Sequence, residues 1–232
     1  MMALAVAETM EHYIYSDGDD GKASSKNTKH SAMVKVKWPN DVLVVHNVNN
    51  ENNVNNVNNA TSRKIASKIA GIILEASDDA LIVGIGINLT AAPDTDVLGD
   101  HHLPAISLAD IIPPQAMPSM DAFWLCLAGR VAANYTLWQQ AGLNGVREAW
   151  LGRAYCLGEE VRVTNEGMPQ HDIYQSISRG IFRGIDLNGN MLLKQNDDTI
   201  RVISAGDCLP SIRHAGGAGD DKEGHESYAA CD

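Results

Sequence analysis

The spacing of hydrophobic positions changes several times along the chain, and each change predicts an element. Met2 to Tyr13 has apolar residues at helical spacing among good helix formers, which predicts a short helix, whereas Ser16 to Ser31 is polar and predicts a loop. Met33 to Lys37 alternates apolar and basic residues, the pattern of a strand with one face buried and Lys35 and Lys37 on the other. Pro39 interrupts this run, and Val42 to Val45 resumes it; a proline there belongs at a bend, bulge or edge, because it has no N–H to give a ladder. Lys68 to Leu74 and Ala80 to Asn88 predict two buried strands joined by the polar turn Glu75 to Asp79. Between the two strand pairs, His46 to Ser62 is an Asn-rich tract that fits neither period and predicts an inserted surface loop. Such an insertion is tolerable because closure entropy grows only logarithmically with loop length.

Thr90 to Leu103 is loop-like, and helical periodicity follows at Ser107 to Ile112 and Met120 to Trp138, with Ser119 as N-cap and Gly142 as terminator of the longer helix. Val146 to Leu151 predicts another helical turn or two. After Gly158 the period shortens, and Val161 to Thr164, Gly180 to Ile185, Met191 to Lys194 and Thr199 to Ile203 predict strands. Asp186 to Asn190 and Asn196 to Asp198 supply hairpin turns between them. These short strands predict a small barrel or half-barrel appended to a mixed domain. From His214 the chain is Gly-rich and acidic, which predicts disorder. The expected organisation is a core over 1–155 with a loop insertion at 46–62, a C-terminal domain over 156–213 and a tail over 214–232.

Composition narrows the class. The 232 residues are 44% hydrophobic, enough for one substantial core and a small second domain. No apolar run approaches the roughly 18 residues needed to span a bilayer, and the apolar start has no basic flank, so a cytoplasmic protein without a membrane partner is expected. A formal charge of -11 opposes attraction to a phosphate backbone, so no nucleic-acid partner is expected. Cys126, Cys156, Cys208 and Cys231 are scattered without zinc spacing and are expected to be free thiols. His101 and His102 are adjacent and point apart, and Asp17 to Gly21 lacks the closing acidic ligand of a calcium loop.

Three stretches carry candidate chemistry. Lys35-Val36-Lys37-Trp38-Pro39-Asn40-Asp41 gathers cations, an aromatic and two oxygen ligands around a bend; it suits a phosphate and a metal, or a strand-end turn whose Asn and Asp satisfy local backbone. In Lys68-Ile69-Ala70-Gly71-Ile72-Ile73-Leu74, the lysine heads an apolar strand, where it could hold an anion or reach to solvent, and Gly71 permits close approach by a ligand. Gly84-Ile85-Gly86-Ile87-Asn88 lacks the third glycine of a dinucleotide fingerprint, but its glycines leave space on one face beside an amide able to pair with a base edge.

Taken in order, Lys37-Trp38-Pro39-Asn40-Asp41, Lys68-Ile69-Ala70-Gly71-Ile72 and Gly84-Ile85-Gly86-Ile87-Asn88 closely resemble three successive core motifs of the biotin protein ligases. The resemblance runs more loosely through the helices to Trp150 and into the strands ending at Ala205-Gly206-Asp207. It implies an α+β fold, a mixed sheet with flanking helices related to class II synthetases, followed by a small SH3-like domain. The implied activity joins ATP and biotin into biotinyl-5'-AMP with magnesium, then passes biotin to a lysine of the biotin carboxyl carrier domain of a carboxylase. Lys68 would bind the biotin carboxylate and phosphoryl oxygens, and Asn40 and Asp41 would sit beside metal and phosphate, with Asp41 also orienting the acceptor lysine. Gly71, Ile72, Gly86 and Ile87 would line the biotin pocket together with Lys68; Asn88, Lys37 and Trp38 would face the nucleotide. A homodimer is compatible with the resemblance. The family's Arg- and Gly-rich loop, upstream of the first helix, has no counterpart in the sequence, which predicts impaired activity. Alternatives are a relative of the lipoate or octanoate protein transferases, sharing the catalytic fold, and a noncatalytic module that docks a carrier domain.

Overall fold

The computed structural model describes residues 1–16, 32–48, 63–94, 103–164 and 177–210. Most of the Asn-rich tract, the Asp17 to Gly21 stretch, His101, His102, Cys231 and the tail from 214 lie outside these residues.

Helix α1 (Met2–Tyr15) buries Ala3, Leu4, Ala5, Val6, Ala7, Met10 and Ile14, a broad stripe in which three alanines let neighbouring elements come close. It packs against a four-stranded antiparallel sheet of β1 (Met33–Lys37), β2 (Asp41–Val48), β3 (Arg63–Ala76) and β4 (Leu81–Ile87), ordered β1-β2-β3-β4. Strand β2 continues through His46 to Val48 and pairs with the start of β3 at Arg63, so the strands run further into the Asn-rich tract than composition predicts. Ladder pairing supplies the backbone partners there, and polar side chains do not prevent it.

The second half of β3 and β4 are not the buried strands expected. Ile73, Leu74, Leu81 and Ile82 are 56–65% exposed, because beyond Ile72 the two strands project as a ribbon past the rest of the sheet. Hydropathy reports what a strand is able to bury, and only the packing partners decide what it does bury.

Helix α2 (Met120–Ala141) starts where Ser119 Oγ accepts from the Ala122 N–H and ends at Gly142, with φ of 59°, as the turn chemistry predicts. It lies along α1, stacking Phe123 on Tyr13 at 5.7 Å and donating from Asn134 Nδ2 to Glu8 at 3.0 Å. The helix expected over Ser107 to Ile112 is a single 3₁₀ turn, Leu108–Asp110, closed by a capping box between Ser107 and Asp110. No described helix is long and apolar enough to cross a membrane.

After α3 (Asn144–Leu151), the chain runs along the outer edge of β1: the Val36 N–H donates to Arg153 O at 2.7 Å and the Tyr155 N–H to Val36 O at 2.9 Å. Arg153 meanwhile forks onto Glu11 with two 2.8 Å hydrogen bonds. The edge of the first sheet is thereby covered by the segment that leads into the second.

That second sheet is antiparallel, with β5 (Glu160–Thr164), β6 (Ser178–Ile185), β7 (Met191–Lys194), β8 (Ile200–Ile203) and β9 (Asp207–Pro210) in the order β8-β7-β6-β5-β9. The final strand, β9, carries no period long enough to read from sequence. Among the described residues β8 and β9 do not pair with each other, so these strands form an open order rather than a closed barrel. Phe182, Met191, Leu193, Val161 and Val163 on its inner face join the core of the first sheet, with Phe182 edge-on to Trp150 at 6.5 Å. Cys126 and Cys208 are free, but Cys156 is disulfide-bonded, against the expectation of free thiols throughout. Sequence spacing excludes zinc patterns but says nothing of which thiols folding brings together.

Candidate functional site

The site grows from one row of the first sheet. Lys37 pairs with Asp41, Asp41 with Gly71 and Gly71 with Gly86, so these four positions share a face. The adjacent row, Val36, Val42, Ala70 and Ile87, points the other way, as does Ile72 opposite Ile85. The residues expected to line a biotin pocket therefore divide: Gly71 and Gly86 floor an open face, while Ile72 and Ile87 belong to the core side.

Lys68 reaches the open face through a bulge. In a regular strand, a residue three positions from Gly71 points to the opposite side. Here the β2–β3 register steps from Val42↔Ala70 to Leu43↔Lys68, and Ile69 is the extra residue that turns Lys68 over. The other backbone edge of Lys68 is held by residues 104–106: its N–H donates to Pro104 O at 2.7 Å and its carbonyl accepts from the Ile106 N–H at 3.0 Å.

Thus placed, Lys68 Nζ lies 2.6 Å from Asp41 Oδ1 and its side chain remains 44% exposed. Gly71 makes the pair possible, since a Cβ there would lie 3.0 Å from Lys68 Cε, 3.1 Å from its Nζ and 3.3 Å from Asp41 Oδ1. The second oxygen of Asp41 accepts from Lys37 Nζ at 3.0 Å, and Lys37 also contacts Asp207 directly. Among the described residues Lys37 is the charged side chain in the buried class. Burial works against its ammonium, but the charges of Asp41 and Asp207, with the hydrogen bonds they accept, outweigh it and hold the Lys37 pKa above the ordinary lysine value. Beside Asp207, burial pushes the Cys208 thiol up to about 12, against the pull of Lys37, so it stays protonated and unreactive.

The remaining expected residues surround this row as supports. Asn40 Nδ2 donates to Ile72 O, and Asn40 O accepts from the Ile72 N–H at 3.0 Å, locking the β1–β2 turn to β3. The Trp38–Pro39 peptide in that turn is cis. Trp38 is 3% exposed and donates from Nε1 to Gly189 O in the β6–β7 turn at 3.0 Å, which makes it a strut between the sheets. Asn88 Nδ2 faces the carbonyls of Ile106 at 3.2 Å and Lys68 at 3.4 Å, bracing the segment that carries the lysine. Asp207 is the member of this constellation that sequence reasoning did not pick out. Its one signal is its place at the end of the Ala205-Gly206-Asp207 string.

With this geometry in place, the likenesses to known proteins are specific. A family model described as "Biotin protein ligase C terminal domain" matches residues 156–209. A biotin–(acetyl-CoA-carboxylase) ligase of Paracoccus denitrificans is 31% identical over 169 residues, covering 71% of this chain and 58% of that protein. A protein of the same name from Mycobacterium tuberculosis is 29% identical over 174 residues, covering 75% of this chain and 52% of that one. The apo structure of biotin protein ligase from Aquifex aeolicus superposes with a TM-score of 0.61 at 21% identity, covering 90% of this chain and 73% of that chain. The Aquifex aeolicus ligase in complex with biotin and ATP gives a TM-score of 0.59 at 21% identity, with coverages of 89% and 67%. The fold is that of the biotin protein ligases. By sequence, its C-terminal sheet matches the C-terminal domain of that family, and most of its length resembles two biotin–(acetyl-CoA-carboxylase) ligases at 29–31% identity. It spans a little over half the length of the curated relatives it matches.

Proposed function

We propose that the chain binds biotin and ATP on the open face of the first sheet, forms biotinyl-5'-AMP, and transfers biotin to a lysine of a carrier domain of a carboxylase. The observation that carries this reading is the Lys68 ammonium, held by Asp41 at the rim of a face floored by Gly71 and Gly86. A cation so placed neutralises a carboxylate and an α-phosphate brought together beside it, where charge develops as the biotin carboxylate oxygen attacks phosphorus and pyrophosphate departs. The amine of the acceptor lysine then attacks the acyl carbon, AMP leaves, and the proton lost by the amine passes to a nearby acceptor such as Asp41 once Lys68 has turned to the phosphate. The relatives' name, biotin–(acetyl-CoA-carboxylase) ligase, supports the acceptor class, and the Aquifex aeolicus complex supports the ligand pair.

Magnesium would enter with the nucleotide phosphates. Both Asp41 oxygens are engaged by ammonium groups and Asn40 Nδ2 donates to Ile72 O, so an ion held beside Asn40 and Asp41 would depend on the nucleotide phosphates for most of its oxygen ligands. Beside the site, the ribbon of β3 and β4 leaves Ile73 and Ile82 exposed on the same face, and water there weakens each charge interaction, so adenylation by this chain is expected to be slow.

Calorimetry with biotin, lipoate and their adenylates, alongside biotin-dependent ATP–pyrophosphate exchange, tests the reading. Tighter binding of biotinyl-5'-AMP than of the lipoyl analogue, lost in Lys68→Ala, is expected, together with slow exchange. Equal affinity for both adenylates, or binding indifferent to Lys68, would overturn it. The same exposure favours one other reading, docking of a carrier without adenylation, which predicts carrier binding unchanged by Lys68→Ala and no exchange.

A further inference from the structure

Four charged side chains alternate in sign from the second sheet into the first: Asp207 touches Lys37, Lys37 touches Asp41, and Asp41 touches Lys68. The position of Asp207 is built by its strand. It pairs with Thr164 where β9 joins β5. Gly206, just before it, has φ of 139°, and a Cβ there would lie 2.6 Å from Thr164 O and 2.9 Å from Val163 Cγ1, so glycine is required for the chain to enter β9 this closely. From the other direction, the Trp38 hydrogen bond to Gly189 fixes the β1–β2 turn against the same sheet.

The Lys37 side chain is 5% exposed, so water cannot replace a lost carboxylate. A buried cation deprived of one counter-ion draws harder on the one that remains. For Lys37 that remaining partner is Asp41, which also holds Lys68. We propose that Asp207 is a positioning residue for the ligand site: by sharing the Lys37 ammonium, it leaves Asp41 free to hold Lys68 over Gly71. The C-terminal sheet thereby sets the place of the lysine in the first sheet through Lys37 and Asp41. The functional weight of this coupling rests on the role proposed above for Lys68, but the coupling itself is a property of the four side chains.

It is tested by competitive acetylation of the full 232-residue chain with trace acetic anhydride, each lysine being quantified by peptide mass spectrometry with Lys35 and Lys64 as internal references. Asp207→Asn is expected to raise Lys68 labelling by about three-fold or more, because Asp41 is drawn toward Lys37 and releases its other partner. Asp207→Glu, which keeps the charge, is expected to return labelling toward the wild-type rate. In a Lys37→Met background, Asp207→Asn should produce no further change. If Asp207→Asn does not fold, Lys37→Met alone serves: Asp41 then has one ammonium to hold, and Lys68 labelling is expected to fall. Unchanged Lys68 labelling in the folded variant, or a change that persists in full without Lys37, would overturn the proposal. A merely structural role for Asp207 would move all three lysines together, and that result also overturns it. Exchange measured on the same samples reports on the proposed activity alone: its absence from the wild-type chain, with the labelling pattern intact, would remove that activity and leave the coupling standing.

Discussion

Asp41 Oδ1 and the Lys68 ammonium lie 2.6 Å apart over Gly71, and the contact exists because a bulge at Ile69 turns the lysine to the face that Asp41 occupies. Asp41 keeps Lys37 when Lys68 is removed, so no buried charge is orphaned.

Lys68→Ala is therefore expected to leave the fold nearly unchanged, with a thermal midpoint within about 2 °C of wild type, since a half-exposed ion pair contributes little. Biotin-dependent ATP–pyrophosphate exchange should drop by roughly 10²–10³, the scale on which a single oxyanion-stabilising group acts. An equal loss of both properties would mean that the lysine is structural.

Two glycine substitutions separate floor from support. Gly71→Ala places a Cβ against Lys68 and Asp41, side chains able to shift, so the protein folds but the ion pair opens and ligand affinity falls by roughly ten-fold. At Gly86 the nearest atom to an added Cβ is Gly71 O at 3.9 Å. Gly86→Ala is consequently expected to fold as stably as wild type while weakening biotin binding. Calorimetry with biotin, paired with thermal unfolding, reads both; unaltered binding in Gly86→Ala would place biotin elsewhere.

Trp38 joins the sheets by packing and by one hydrogen bond. Trp38→Phe keeps most of the ring and loses the donor to Gly189, costing about 1 kcal/mol, whereas Trp38→Ala should cost roughly 3–5 kcal/mol. Urea unfolding measures the difference. Comparable losses in the two variants would assign the stabilisation to the N–H rather than to the buried ring.

His46 supplies a pH dependence. Burial lowers its pKa below the ordinary value of 6.5, and its Nε2 lies 3.2 Å from Ser67 Oγ. A depressed folded pKa means that protonation favours the unfolded chain, so this contribution to stability is complete above 6.5 and is lost as the pH falls from there through the depressed value. Thermal midpoints recorded from about pH 7.5 down to about pH 5 should decline less steeply for His46→Gln than for wild type. Parallel curves would show that the imidazole is not desolvated.

Much of this protein is written locally. The alternation in Met33 to Lys37 and Val42 to Val45, the caps Ser119 and Gly142, and the turn Asp186 to Asn190 each depend on near neighbours, so periodicity and turn chemistry locate the strands, the long helix and the hairpin. The order of the Lys37, Lys68 and Gly84 motifs likewise groups the candidate residues, because sheet pairing brings those particular strands together. What local pattern does not contain is which face a residue takes after an irregularity, and what lies across from it. The bulge at Ile69 inverts Lys68; simple alternation separates Gly71 from Ile72 and Gly86 from Ile87; packing between sheets makes Trp38 a strut. The exposure of Ile73 and Leu81 shows the same limit, for an apolar strand is buried only where another element covers it. Asp207 marks the furthest point from local legibility. It stands 170 positions from Lys37 in the chain, and its meeting with that buried ammonium is decided by long-range pairing and close approach, which only the tertiary structure determines.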